Sequence, residues 1–174
     1  SELHRRASTA KRRGPYSVTF KERLPPSKDV HDYFNYSYQW WHVSTPAGNS
    51  KWVRRDGARN PNSRIDSKQL VLLGKDLEVL TLACIALKDR KGCEHASTLL
   101  RTWFLTPGTR MNPHARYGTV IPGVGKPVFP VAEFSNVFSR VIDPIIALRG
   151  ERSNSSGLYV AVGEWLGELM GWRR

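Results

Sequence analysis

The chain has 174 residues, enough for one domain with a sizeable core, and its 40% hydrophobic and 10% aromatic content excludes wholesale disorder. Lys and Arg number 27 against 15 Asp and Glu, and the net charge of +12 favours polyanionic partners, polyuronates and nucleic acids alike, by raising local concentration and encounter rate. No apolar run reaches membrane-spanning length, since the longest, from Val79 to Leu87, is short and interrupted by Thr81, so no membrane partner is expected.

Residues 1–23 form a basic arm in which Arg5, Arg6, Lys11, Arg12, Arg13, Lys21 and Arg23 face only Glu2 and Glu22. Such a charge run reads as a disordered, solvated tail. Its functional alternative is a segment that binds nucleic acid or directs the chain to a nucleus. No helix-turn-helix, zinc-finger spacing or RNA-recognition signature accompanies it, which weighs against that alternative. The main domain is therefore expected from 24 to 174. The chain starts without Met and shows no apolar signal core, as in a processed mature protein or an internal piece of a longer one.

Residues 24–66 carry Pro25-Pro26, Pro46, Gly48, Gly57 and Pro61 between polar residues, a pattern of extended segments and turns. Within them lie His31-Asp32-Tyr33, Trp40-Trp41 and Arg54-Arg55-Asp56-Gly57. His31 is expected as a structural hydrogen-bonder with Asp32 as its partner. Asn35-Tyr36-Ser37 fits the glycosylation acceptor pattern, as does Asn154-Ser155-Ser156, and either triplet is used only in a eukaryotic secretory route.

From Ser67, a plausible N-cap, the residues Leu70, Leu73, Leu77, Leu80, Cys84 and Leu87 keep helical spacing up to the Asp89-Arg90-Lys91-Gly92 turn. A second helix is predicted from about Cys93 to Leu105, with Ala96, Leu99, Leu100 and Trp103 on one face and Pro107-Gly108 as its stop. The two form an antiparallel hairpin. Cys84 and Cys93, the sole cysteines, flank the turn closely enough for a disulfide, and two unpaired thiols with Cys84 in the core is the competing reading.

Between Thr106 and Pro130 the density of Gly and Pro rules out a long regular element, and loops of this length inside a domain tend to be functional. Arg110, Asn112, His114 and Tyr117 crowd into it where no packing rule asks for them. Ala132 to Leu148 then returns to helical spacing, with Pro144 expected to kink or divide the element. After a polar turn from Gly150 to Gly157, a last helix is predicted from Leu158 to Trp172 with Val162, Trp165, Leu166 and Leu169 inward.

Taken in order, HDYF, WW, WVRRDGARNP and LLRTWFLTPGTRMNP, with a Tyr soon after, resemble the alginate lyase family of polysaccharide lyases over roughly residues 24–172. Four such segments at the right intervals are specific where RRDG or NP alone is weak. The resemblance implies an all-α fold, here a partial (α/α) toroid of helical hairpins with long functional loops. It implies β-elimination on an anionic uronate polymer such as alginate, in an extracellular or periplasmic setting, with an anionic polysaccharide as partner and no cofactor.

Removing the C5 proton of a hexuronate places further charge on a carboxylate that is already negative, so the site must neutralise that group. A base then takes the proton and an acid protonates the departing glycosidic oxygen, roles suited to His and Tyr. Arg110 and Asn112 can donate to the carboxylate, and Arg54 or Arg55 offers the same fork, one of the pair being expected to bond Asp56 or a neighbouring carbonyl instead and so hold the loop. Trp40 and Trp41 can stack on sugar faces, with at least one expected to serve the core. Tyr117 can hydrogen-bond a sugar hydroxyl, and His114 can act as base. No His, Cys, Asp or Glu spacing suggests a metal.

The departures from the family pattern are informative. Gln39 stands where an aromatic is expected and His42 where a Pro is. His114-Ala115-Arg116-Tyr117-Gly118-Thr119 replaces an Asn-Leu-Asn-Tyr-Ala-Gln run, and Gly125-Lys126-Pro127-Val128-Phe129-Pro130 lacks an expected acid. The Asn-His pair that bears the family's usual base lies beyond the helix ending near Trp172, outside this chain. Two further readings follow: a truncated, non-catalytic relative that binds anionic glycans, and a nucleic-acid-associated protein acting through its basic arm.

Overall fold

A computed structural model of the chain describes residues 1–46, 48–124, 131–150 and 156–172. In chain order the elements are α1 (Glu2–Ala10), β1 (Phe34–Tyr36), β2 (Trp40–Ser44), β3 (Ser50–Arg54), α2 (Asp66–Ala86), α3 (Arg90–Phe104), β4 (Tyr117–Val120), α4 (Val131–Arg149) and α5 (Ser156–Gly171). Short 3-10 turns occupy Val18–Phe20 and Pro61–Ser63.

The expected all-α class is corrected to mixed α/β by two small sheets, parallel β1–β4 and the antiparallel hairpin β2–β3. These strands have three to five residues and sit among the prolines and glycines that read as loop. At that length, alternation is too brief to register as a period. β4, four residues long, lies within the loop expected from Thr106 to Pro130, which holds no long regular element among its described residues.

The helical hairpin forms as its spacing predicts. Leu70, Leu73, Leu77 and Leu80 of α2 and Ala96, Leu99, Leu100 and Trp103 of α3 are fully buried, and α2 packs on α1, α3 and α4. Cys84 and Cys93 form a disulfide across the turn, which decides between the two readings of that pair. Asp89 heads α3 by accepting from Gly92 N at 3.1 Å, so the predicted turn is the cap of the second helix.

Ser67 does not cap α2. The helix begins at Asp66 behind Ile65, and the cap comes from elsewhere: Asn35 Oδ1 accepts from Ile65 N at 2.8 Å and from Ser67 N at 3.1 Å. Asn35 is buried in that role, so its amide is not available as a glycan acceptor in the folded chain. Asn154 and the segment Gly125 to Pro130 lie outside the described residues.

The basic arm is folded where disorder was expected. Ala7 and Ala10 of α1 are buried against α2, Arg13 pairs with Asp76, and Lys11 Nζ lies 2.6 Å from Asp89 Oδ2. Tyr16 donates to the same Asp76 at 2.6 Å, and burial with that carboxylate raises its pKa.

α4 runs through Pro144 as one helix. It crosses α2 closely at Gly74, where an added Cβ would meet Arg140 Cβ at 3.1 Å. α5 is tied down by Trp165, whose indole N–H donates to Met111 O at 2.9 Å while its ring stands edge-on to Phe104. Among the described residues no helix is long and apolar enough to cross a membrane.

Candidate functional site

A cleft of about 830 Å3 opens where the segment 20–23, the β2–β3 hairpin and the start of α2 converge. Its buried side holds an ion pair: Lys21 Nζ lies 2.6 Å from Asp66 Oδ2, with side chains only 2% and 1% exposed. Asp66 Oδ2 also accepts from Phe34 N at 2.7 Å, and Lys21 donates to Asp32 O at 2.6 Å, so the pair fixes β1 and the 20–23 segment to the head of α2. Burial dominates both groups, raising Asp66 to about 6 and lowering Lys21.

Around this pair the lining is cationic and polar. Arg23, Arg64 and Lys68 are exposed cations, against a single exposed acid, Glu22, and Asn60, Asn62 and Gln69 add hydrogen-bonding groups. The hairpin contributes Trp41, His42 and Trp52. His42 and Trp52 are directly opposite across the strands, with ring centroids 5.1 Å apart at 64°. Trp52 also meets Tyr36 at 5.1 Å. Asn60 holds the hairpin by donating from Nδ2 to Trp40 O at 2.7 Å and from its backbone N–H to Tyr38 O.

Strand alternation puts Trp40 and Trp41 on opposite faces of the hairpin, Trp40 sharing its face with His42 and Trp52, and of the two Trp41 lines the cleft. Arg55 lies over the Trp41 ring at 5.3 Å, and Arg59 over Tyr38 at 4.8 Å. Arg54 bonds Asp56 at 2.9 Å, so the neighbouring arginines of RRDG have separate partners.

The TRMNPH segment gathers elsewhere. Asp32 sits at the centre of a network, accepting at Oδ1 from Asn112 Nδ2 at 2.7 Å and from His114 Nε2 at 3.0 Å, and at Oδ2 from Ser27 Oγ at 2.6 Å. Asn112 gives its other amide hydrogen to Asp29 at 2.9 Å, so both of its side-chain donors are engaged within the protein. His31, expected to pair with Asp32, instead bonds through Nδ1 to Arg110 O at 2.6 Å. Asp29 is kept below the usual carboxylate range, first by the His31 backbone N–H.

His114 has Nε2 on Asp32, while its Nδ1 is buried with no hydrogen-bond partner. A nitrogen shielded in this way does not reach a sugar proton in this conformation. The His114 ring lies 6.4 Å from Tyr117 and 5.9 Å from Trp172. Tyr117 is half-buried on β4, paired with Phe34 of β1, and Arg110 is exposed. None of Arg110, Asn112, His114 and Tyr117 lines the cleft, whereas Trp41 does and Arg55 stacks on it.

As site residues, Trp52, His42, Arg23, Arg64 and Lys68 escaped the sequence reading. The signal for Trp52 and His42 lay in two five-residue runs whose pairing places them opposite each other. Arg23 stands some forty residues of chain before Arg64 and Lys68 and meets them only through the fold. Among the described residues, no group of three or more His, Cys, Asp and Glu is placed to hold a metal.

Residues 17–174 match the family profile described as alginate lyase. Among solved structures, the chain resembles the crystal structure, at 1.60 Å resolution, of an alginate lyase from Bacteroides ovatus, with 31% identity and a TM-score of 0.87. The similarity covers 98% of this chain and 46% of that one, so the chain spans about half the length of its solved relative. No curated protein sequence matches it at a significant level.

Proposed function

The chain belongs to the alginate lyase family, and from that premise we propose that it takes part in β-elimination on an anionic uronate polymer such as alginate, gripping the polymer in the cleft between the hairpin and α2. The observation that carries this reading is the pairing, in one 830 Å3 cleft, of indole rings with an excess of exposed cations. Uronate polymers present the matching features, apolar ring faces and one carboxylate per sugar. Trp41 and Trp52 supply surfaces on which sugar rings lie, and Arg23, Arg64 and Lys68 offset the carboxylates.

In the proposed reaction a base takes the C5 proton, the electron pair of the C5–H bond forms the C4=C5 double bond, and the C4–O bond breaks with its electrons on oxygen, which takes a proton from an acid. Cations against the carboxylate stabilise the charge that builds up in this step. Because the substrate is a polymer and the Cys84–Cys93 disulfide suits an oxidising compartment, the reading places the protein outside the cytoplasm, extracellular or periplasmic.

The engagement of His114 by Asp32 favours a second reading, a relative that binds anionic glycans without cleaving them. Incubation of the purified chain with polymannuronate, polyguluronate and polyglucuronate separates the two. Rising ultraviolet absorbance from unsaturated uronate supports the lyase. A flat trace with retained binding supports the binding protein. Neither cleavage nor binding rejects both.

A further inference from the structure

His42 stands apart from the other histidines around these sites. His31 is bonded to Arg110 O and His114 to Asp32, whereas His42 is exposed, lines the cleft and makes no side-chain hydrogen bond to the described residues. Among the described residues its ring meets Trp52, edge-on across the hairpin. A sugar lying on Trp52 would bring its ring substituents to the imidazole edge.

We propose that His42 is a proton-dependent contact for a uronate carboxylate in the cleft, making the affinity for polyuronates rise as pH falls through the histidine range. This rests on the proposed function and deepens it. The argument is one of linkage. Imidazole changes charge between about pH 5 and 8. In the free protein its surroundings are mixed but predominantly cationic: the Lys21–Asp66 pair, Glu22 and Arg23 on one side, Arg64 and Lys68 at the head of α2, and Lys51 with the Arg54–Asp56 pair on its own hairpin. A carboxylate arriving beside His42 reverses that balance and favours the imidazolium. Whatever ligand raises a group's proton affinity must itself bind more tightly when the proton is present.

Asp66 is the competing source of such a trend, because it titrates near 6 in the same cleft and its protonation would also favour anions. The two are separable by substitution. The His42 side chain is solvent-exposed and makes no hydrogen bond to the described residues, so His42→Ala should leave the fold intact, which circular dichroism checks.

The test is the affinity of the chain for size-defined mannuronate oligomers at about pH 5.5 and about pH 7.5, at constant ionic strength, with a neutral glucan as control. A one-unit rise of the imidazole pKa on binding corresponds to at most about tenfold in Kd, of which about fivefold falls between these two pH values. The wild type, His114→Ala and Asp66→Asn should each bind about fivefold tighter at the lower pH, while His42→Ala keeps the weaker affinity at both. A His42→Ala protein that retains the full pH trend overturns the assignment and leaves the function standing. A trend abolished by Asp66→Asn alone transfers it to the buried pair and likewise overturns it. Failure of the wild type to bind any polyuronate at either pH overturns the proposed function together with this contact.

Discussion

Asp32 holds His114 by its Nε2 atom at 3.0 Å, joining the loop before β1 to the loop before β4. The same carboxylate accepts from Asn112 and Ser27, and its backbone oxygen accepts from Lys21. Removing it strands several polar groups together. Asp32→Ala should lower the unfolding free energy by about 2–4 kcal/mol. His114→Ala leaves Asp32 two other donors and should cost about 1 kcal/mol. Urea unfolding of the two variants measures the difference, and equal losses would mean that the network does not centre on Asp32.

The buried pair in the cleft predicts an acid-side slope in stability. Asp66 is raised to about 6 from 3.8. Below 3.8 folded and unfolded chains both hold the proton. Between 3.8 and 6 only the folded chain does, so this group's contribution to stability falls as pH rises through that window. The full change is about 3 kcal/mol. Carboxylates held below their usual range, such as Asp29 and Asp89, slope the other way, so the comparison is between proteins. Relative to the wild type, Asp66→Asn should gain nothing near pH 4 and most near pH 7, seen as a difference in urea midpoints across that range. A constant difference would show that Asp66 titrates at its ordinary value.

The disulfide joins residues nine apart across the turn between α2 and α3. For a loop of that length, chain-entropy arguments give about 2–3 kcal/mol, less if the hairpin persists in the unfolded ensemble. Cys84→Ala with Cys93→Ala should therefore lower the melting temperature by several degrees, with no change in circular dichroism at room temperature. The same midpoint for the double variant and the wild type would show that the bond adds no stability.

Glycan binding should depend unequally on the tryptophans of the hairpin. Trp52→Ala should weaken polyuronate affinity about tenfold, the worth of one well-placed indole. Trp40→Ala should change it less than twofold, because Trp40 is absent from the described lining. Calorimetric titration reads both, and a larger loss for Trp40 would mean that the polymer lies outside the cleft.

The helical hairpin was legible because leucines at three- and four-residue spacing form a stripe on a helix and on no other regular element. The cleft was not, because its parts are local features of small strands. Trp40 and Trp41 both read as apolar, which conceals the alternation that sends them to opposite faces. α1 escaped for a different reason. Its contact with α2 is made by Ala7 and Ala10, residues too small to stand out among Arg5, Arg6 and Arg12. The pairing of Asp32 with His114, and not with the adjacent His31, needed the third dimension: neighbours in a bend point apart, and the acid met a partner from a distant loop.

Asn35 gives the first turn of α2 its acceptor from thirty residues upstream. In a eukaryotic secretory host, oligosaccharyl transferase would meet the Asn35-Tyr36-Ser37 triplet on the emerging chain before Ser67 has been folded against it. A glycan attached then would sit on Nδ2, beside the Oδ1 atom that caps the helix, and would be too bulky for the space the buried side chain fills. Bacterial expression, which leaves the triplet bare, and secretion from a glycosylating cell would thus yield two different proteins from one gene, only one of them able to close over its own second helix.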